Sequence, residues 1–237
     1  MPEKYYLETL YPFQDKILKI VEQQNLDFYL TGGTALGRCY LHHRHSDDLD
    51  FFVNNHEGFK EQSNTVINEL KKRWACDVAA TSETFVRIFV QHERISLKTD
   101  FVNDVPSHFG AIQPSSIFHR IDSCRNILSN KICALSRLEV RDIADIVFIA
   151  KKYAFEWETV INEAKEKDLW VEPVEICQIL NQFPTESLKT IKWLDKVNIE
   201  ELKDQIKVLH DDIFTGASNS LVGGGDQKSE VGGRRLE

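Results

Sequence analysis

Apolar residues recur at helical spacing from Tyr5 to Gln23, at Leu7, Leu10, Phe13, Ile17, Ile20 and Val21, and predict a first amphipathic helix. A short strand follows at Leu26 to Leu30. It runs into Thr31-Gly32-Gly33-Thr34, a tight turn able to start a helix through Leu41. After a polar stretch, His42 to Asp47, comes a strand at Asp48 to Val53, then a second amphipathic helix at Glu57 to Trp74. Phe85 to Val90 and Ile95 to Val102 read as a hairpin turning through Gln91-His92-Glu93-Arg94.

Beyond Pro106 to Pro114 the strand signals stop. Helical patterns cover Asn130 to Tyr153, Trp157 to Lys167, Pro173 to Leu180 and Ile199 to Phe214. Mixed elements followed by helices alone predict an α+β fold: a mixed sheet with flanking helices, then a helical C-terminal half. The expected division is a catalytic domain at 1–110, a helical domain at 111–214 and a disordered tail at 215–237, rich in Gly and Ser.

Composition adds limits. The 237 residues are 42% hydrophobic and 28% charged, which is ordinary for a globular chain. A net charge of -8 excludes a generic polyanion binder, so nucleic acid would have to meet a local basic patch. No signal-peptide pattern and no membrane span are read. Five scattered cysteines without CxxC spacing read as reduced thiols, and together these predict a cytoplasmic protein.

The chemistry concentrates between Leu30 and Val53. Asp48-Leu49-Asp50 opens an apolar strand, and alternation puts both carboxylates on one face. Two adjacent carboxylates repel unless a cation lies between them, and oxygen ligands on a short rigid spacing suit Mg²⁺ or Mn²⁺. A bare Asp-x-Asp is more often a strand end with solvated acids. Gly32-Gly33-Thr34, between strand and helix, would let backbone N–H groups approach a phosphate, with Thr34 capping the helix or touching a phosphate oxygen. Asp100 is a lone acid in the strand Leu97 to Val102. If that strand lies beside Asp48 to Phe52, it completes a three-carboxylate site and is the natural general base.

The combination resembles the DNA-polymerase-β-like nucleotidyltransferase superfamily. The wording Gly32-Gly33-Thr34-Ala35-Leu36, then Arg44, Ser46, Asp48, Leu49, Asp50 and Phe51, resembles the AbiEii/AbiGii toxin family within it. A second match is Lys131-Ile132-Cys133-Ala134-Leu135, then Arg141-Asp142-Ile143-Ala144-Asp145. On one continuous helix, at about 100° per residue, Lys131, Leu135, Leu138, Asp142 and Asp145 would share a face with Arg141 at its edge. Charges there must be paired or bind a ligand. Lys131 is the natural partner of a triphosphate, and Asp142 and Asp145 belong either to the nucleotide site or to a structural network with Arg141.

The resemblance implies transfer of a nucleoside monophosphate from an NTP with Mg²⁺ (or Mn²⁺). It implies metal ligands Asp48, Asp50 and Asp100, and Gly32, Gly33, Thr34, Arg44, Ser46, Lys131, Arg141, Asp142 and Asp145 as the nucleotide side. It further implies a toxin of a toxin–antitoxin or phage-defence pair, an RNA acceptor such as tRNA, and a cognate antitoxin. Other readings are a small-molecule, aminoglycoside-like nucleotidyltransferase and a non-catalytic nucleotide-binding protein. Arg38, His42, His43, Arg44 and His45 form a polar rim able to meet a phosphate backbone; the clustered histidines lack partners spaced for zinc.

Overall fold

The computed structural model describes residues 2–223 and 234–236. The chain divides into two compact units: Met1–Tyr40 with His45–Asp122, and Leu41–Arg44 with Ser123–Glu237.

The first unit is built on a five-stranded mixed sheet. Its strands are β1 (Tyr29–Thr31), β2 (Leu49–Asn54), β3 (Ala75–Thr81), β4 (Phe85–His92) and β5 (Ile95–Asp104), in the order β1-β2-β5-β4-β3. β2 and β5 run parallel, and the other neighbours run antiparallel. Alternation sorts the sheet's faces. Leu49, Phe51, Val53, Leu97, Phe101, Val86, Ile88 and Val90 point into a core where Phe51 stacks on Phe101 at 5.6 Å between ring centres and Phe28 packs beside both. The opposite face carries Asp50, Lys98, Asp100 and Arg87.

Helix α1 (Tyr11–Gln23) buries Phe13, Ile17, Ile20 and Val21 of the expected stripe and is preceded by helical turns at Pro2–Tyr5 and Tyr6–Leu10, where Leu10 is buried but Leu7 is exposed. A short helix α2 (Gly32–Ala35) follows β1 and continues as a wider turn to Tyr40, and α3 (Phe59–Lys71) crosses from β2 to β3. β3 has no counterpart in the sequence reading. It is an edge strand of small residues, exposed on both faces, so it shows no alternation. Residues 111–122 belong to this unit rather than to the helical half. Leu30 N–H donates to the Arg120 carbonyl at 2.8 Å and Asp122 N–H to the Leu30 carbonyl at 2.9 Å, so the segment runs along the free edge of β1.

The second unit holds α4 (Cys124–Ala134), α5 (Val140–Lys152), α6 (Trp157–Lys167), α7 (Pro173–Gln182) and α8 (Ile199–Thr215). Ser123 caps α4 by accepting the Asn126 N–H at 2.9 Å. Ile132, Ile143, Trp157, Ile176 and Leu209 converge as its core. The single helix expected over 130–153 is in fact two. After a 3-10 turn at Leu135–Arg137, Leu138 adopts a left-handed conformation (φ 56°) and the chain restarts at Val140. Continuous apolar periodicity hid the break, because both helices bury faces in one core. The expected tail begins with a bonded segment: Asn219 donates to the Ala150 and Tyr153 carbonyls, both at 2.7 Å, and Ser220 bonds Asp212. Residues 224–233 and 237 of that tail lie outside the described residues. Among the described residues no helix is long and apolar enough to cross a membrane.

Candidate active site

The register of the sheet aligns four side chains in one row. Thr31 of β1 stands opposite Asp50 of β2, Asp50 opposite Asp100 of β5, and Asp100 opposite Arg87 of β4. Asp48, just before β2, shares the face of Asp50 by the two-residue period. The expected adjacency of the Asp48 and Asp100 strands is therefore realised through the parallel β2–β5 pairing.

Two cations sit among these acids. Arg87 grips Asp100 with a bidentate fork, Nε to Oδ1 at 2.8 Å and a terminal nitrogen to Oδ2 at 2.7 Å. Asp100's hydrogen bonds, aided by the nearby charges of Asp48 and Asp50, push the Arg87 guanidinium above its ordinary value. Lys98 Nζ lies 2.7 Å from Asp48 Oδ2. Among the described residues, no three Asp, Glu, His or Cys side chains form a ready-made metal cage. The donor set nevertheless fits Mg²⁺, which is commonly held by one or two carboxylates with substrate phosphates and water completing the octahedron. Asp50 on β2 and Asp48 just before it would supply that partial set.

The Gly-Gly turn serves the carboxylates directly. Gly32 is left-handed (φ +67°), and a Cβ there would lie 2.5 Å from Asp50 Oδ2. Its missing side chain is the space that Asp50 occupies. Thr34 donates its hydroxyl to the Asp48 backbone carbonyl, so α2 holds the start of β2 rather than being capped by Thr34. Thr31 donates to Asp122 at 2.5 Å, and His108 Nε2 lies 3.0 Å from the other Asp122 oxygen. Ser46 is buried, with its carbonyl accepting from Gln14 at 3.2 Å. His45 stacks on Tyr6 at 3.9 Å and meets the Tyr11 hydroxyl at 2.9 Å, so it is part of the packing beside α1.

Gly32→Ala is expected to destabilise the protein by about 1–2 kcal/mol through its left-handed backbone and to displace Asp50, cutting activity by tenfold or more. Gly216 has the same φ but open space around it. Gly216→Ala should show the backbone cost alone. Thermal melts and initial rates of the two variants separate strain from collision.

The second unit holds the other predicted residues. Asp145 is fully buried and receives Arg44 through two bonds of 2.7 Å, His43 Nε2 at 2.8 Å and Lys131 Nζ at 2.9 Å. Lys131 also bonds Asp142 at 2.6 Å. Lys131 and the two acids meet although they lie on two helices, because the bend at Leu138 folds α5 back on α4. Arg141 Nη2 lies 3.9 Å from Glu139 Oε2. His43 and Arg44, read in the sequence as a polar rim, are instead buried.

Burial alone would raise the Asp145 pKa, but Arg44, Lys131 and His43 hold it well below the usual carboxylate range. Burial alone would lower Lys131, but Asp145 and Asp142 leave it above the ordinary lysine value. Burial pushes His43 below its ordinary 6.5 despite the bond to Asp145, and so favours the neutral imidazole. Depressed values for His43 and Asp145 mean that the unfolded chain binds more protons, so stability falls as pH falls. His43's contribution fades below about pH 6.5 and that of Asp145 in the acid range below about 4. Urea midpoints, followed by circular dichroism of the whole protein, should drop between pH 7 and pH 5. His43→Gln should flatten that drop; an equal slope in the variant would refute the assignment.

The sequence matches the family described as Nucleotidyl transferase AbiEii toxin, Type IV TA system, over residues 17–213. No curated protein matches it by sequence. Among solved structures, MenT4, a nucleotidyltransferase toxin from Mycobacterium tuberculosis H37Rv, is similar with a TM-score of 0.61 at 18% identity, covering 86% of this chain and 82% of that one. JHP933 from Helicobacter pylori is similar with a TM-score of 0.55 at 21% identity, covering 85% and 90%. At these identities the likeness is one of fold.

Proposed function

Because the chain belongs to the AbiEii nucleotidyltransferase toxin family, we propose that this nucleotidyltransferase works with Mg²⁺ or Mn²⁺ at Asp48, Asp50 and Asp100, moving a nucleoside monophosphate from an NTP to a hydroxyl of RNA such as tRNA. The observation that carries the reading is the alignment of Asp50 with Asp100 on parallel strands, with Asp48 on the same face and Gly32 opened for Asp50.

The acceptor oxygen forms a bond to the α-phosphorus, and the bond from that phosphorus to the pyrophosphate oxygen breaks. A bound divalent cation supplies charge neutralisation on the phosphates. Asp48, just before β2, and Asp50, on it, would hold that cation, with Thr34 bonded to the Asp48 carbonyl and Gly32 leaving space for the Asp50 carboxylate. Asp100 accepts the hydroxyl proton at a carboxylate oxygen. The backbone at Gly32 and Gly33, with Ser46 and Thr34, borders the place where the triphosphate lies. Lys131, Arg44, Arg141, Asp142 and Asp145 remain candidates on the nucleotide side; the ion network argues that Arg44 and Asp145 act chiefly by holding the second unit together.

The toxin family implies a cognate antitoxin, and phage defence is a fitting role for such a pair. Incubation with each α-labelled NTP and either total RNA, total protein or small-molecule acceptors tests the acceptor. Label on RNA is expected. Label only on protein or an aminoglycoside-type molecule overturns the RNA assignment, and NTP binding without pyrophosphate release overturns catalysis.

A further inference from the structure

Asp48 and Asp100, the two ends of the carboxylate set, are each held by a cation: Lys98 at 2.7 Å and Arg87 at 2.7 and 2.8 Å. Both cations project from strands of the same sheet, so neither is brought in by a loop. Lys98 lies two residues before Asp100 on β5 and shares its face. Arg87 stands opposite Asp100 on β4, its guanidinium carbon 5.2 Å from the centre of the Phe85 ring on the same face. Both are partly exposed, at 26% for Lys98 and 38% for Arg87, so each has room to swing on its long stem.

We propose that Lys98 and Arg87 are internal counter-ions of the carboxylate set, occupying Asp48 and Asp100 until a nucleotide binds and then turning to its triphosphate. The inference rests on the metal and nucleotide reading above and adds a role for two residues outside that acid set. Its logic is competition. A divalent ion approaching Asp48 alone must displace an ammonium that then loses its partner. A metal-bound triphosphate brings anionic oxygens that accept the displaced cations. A planar guanidinium matches carboxylate and phosphate equally well, and an ammonium is a compact charge suited to either. The same exchange frees both Asp100 oxygens, which Arg87 otherwise engages, so the proton acceptor is uncovered only when the nucleotide is in place.

The two cations therefore act in opposite directions on two ligands. Mn²⁺ binding without nucleotide, followed by the spin-resonance signal of free Mn²⁺, should tighten about tenfold in Lys98→Met and in Arg87→Met. Binding of a fluorescent non-hydrolysable NTP with Mg²⁺ should weaken about tenfold in the same variants. Lys98→Gln and Arg87→Gln form a second pair should either Met variant fail to fold. Mn²⁺ affinity that is unchanged or weaker, or nucleotide affinity that is unchanged, overturns the inference. Asp50→Asn separates the two layers. If it abolishes Mn²⁺ binding while the cation variants behave as wild type, only the counter-ion role fails. If it leaves Mn²⁺ binding intact, the metal reading fails and this one with it.

Discussion

Asp50→Asn is expected to lower nucleotidyl transfer by roughly 10³-fold or more while leaving the melting temperature within a few degrees of wild type. The rate loss corresponds to about 4 kcal/mol of transition-state stabilisation, the scale on which one preorganised electrostatic group acts. Asp50 is the central carboxylate: Asp48 precedes it on the same face and Asp100 faces it across the β2–β5 pair. Asparagine keeps the shape that fits against Gly32 but removes the charge. The fold should tolerate the change because Asp50 is half-buried on the sheet face away from the phenylalanine core. Single-turnover rates and thermal melts of the same preparation decide the matter. A variant that melts normally but retains rates within tenfold of wild type contradicts the assignment.

Asp145→Asn is expected to act through stability instead. Asp145 has no exposed surface and Arg44 almost none. Neutralising the acid removes the carboxylate that Arg44, Lys131 and His43 share in the interior. Breaking a buried pair in this way costs about 3–5 kcal/mol, or roughly 10–20 °C in melting temperature for a unit of this size. The double variant Arg44→Met/Asp145→Leu should recover much of the loss, since apolar replacements remove both desolvated charges together. Equal destabilisation of single and double variants would count against the network. At a temperature where Asp145→Asn is still folded, a selective loss of NTP binding would instead assign Asp145 to the nucleotide.

These two predictions trace what was readable along the chain. That Asp48 and Asp50 share a face was legible because strand alternation is a short-range signal, whereas Asp100 joined them only on the condition that its strand pairs with β2, as it does. Arg87 was not legible. A four-residue turn at 91–94 would pair Val90 with Ile95 and set Phe85 opposite Asp100. The actual turn is two residues, Glu93 and Arg94, with Glu93 left-handed at φ 54° and His92 paired with Ile95. That shift of two positions brings Arg87 to Asp100, and Glu-Arg carries none of the glycine or asparagine signal that marks such a turn. Lys98 needed the parallel register of β2 and β5, a pairing set by tertiary structure. His43 and Arg44 looked like surface residues because their partner, Asp145, lies about a hundred residues further along. The break at Leu138 was invisible because the apolar period continues through it.

A sheet face that moves a nucleoside monophosphate through Asp48, Asp50 and Asp100 should do so only with a divalent ion and with the Asp50 carboxylate intact. This is tested most directly by incubating wild type and Asp50→Asn with total RNA, Mg²⁺ and NTP labelled at either the α- or the γ-phosphate. RNA labelled only from the α-position is expected, with no transfer in chelator and transfer lowered by roughly 10³-fold or more in Asp50→Asn. Label arriving from the γ-phosphate, or α-label transferred equally by Asp50→Asn, would contradict this chemistry.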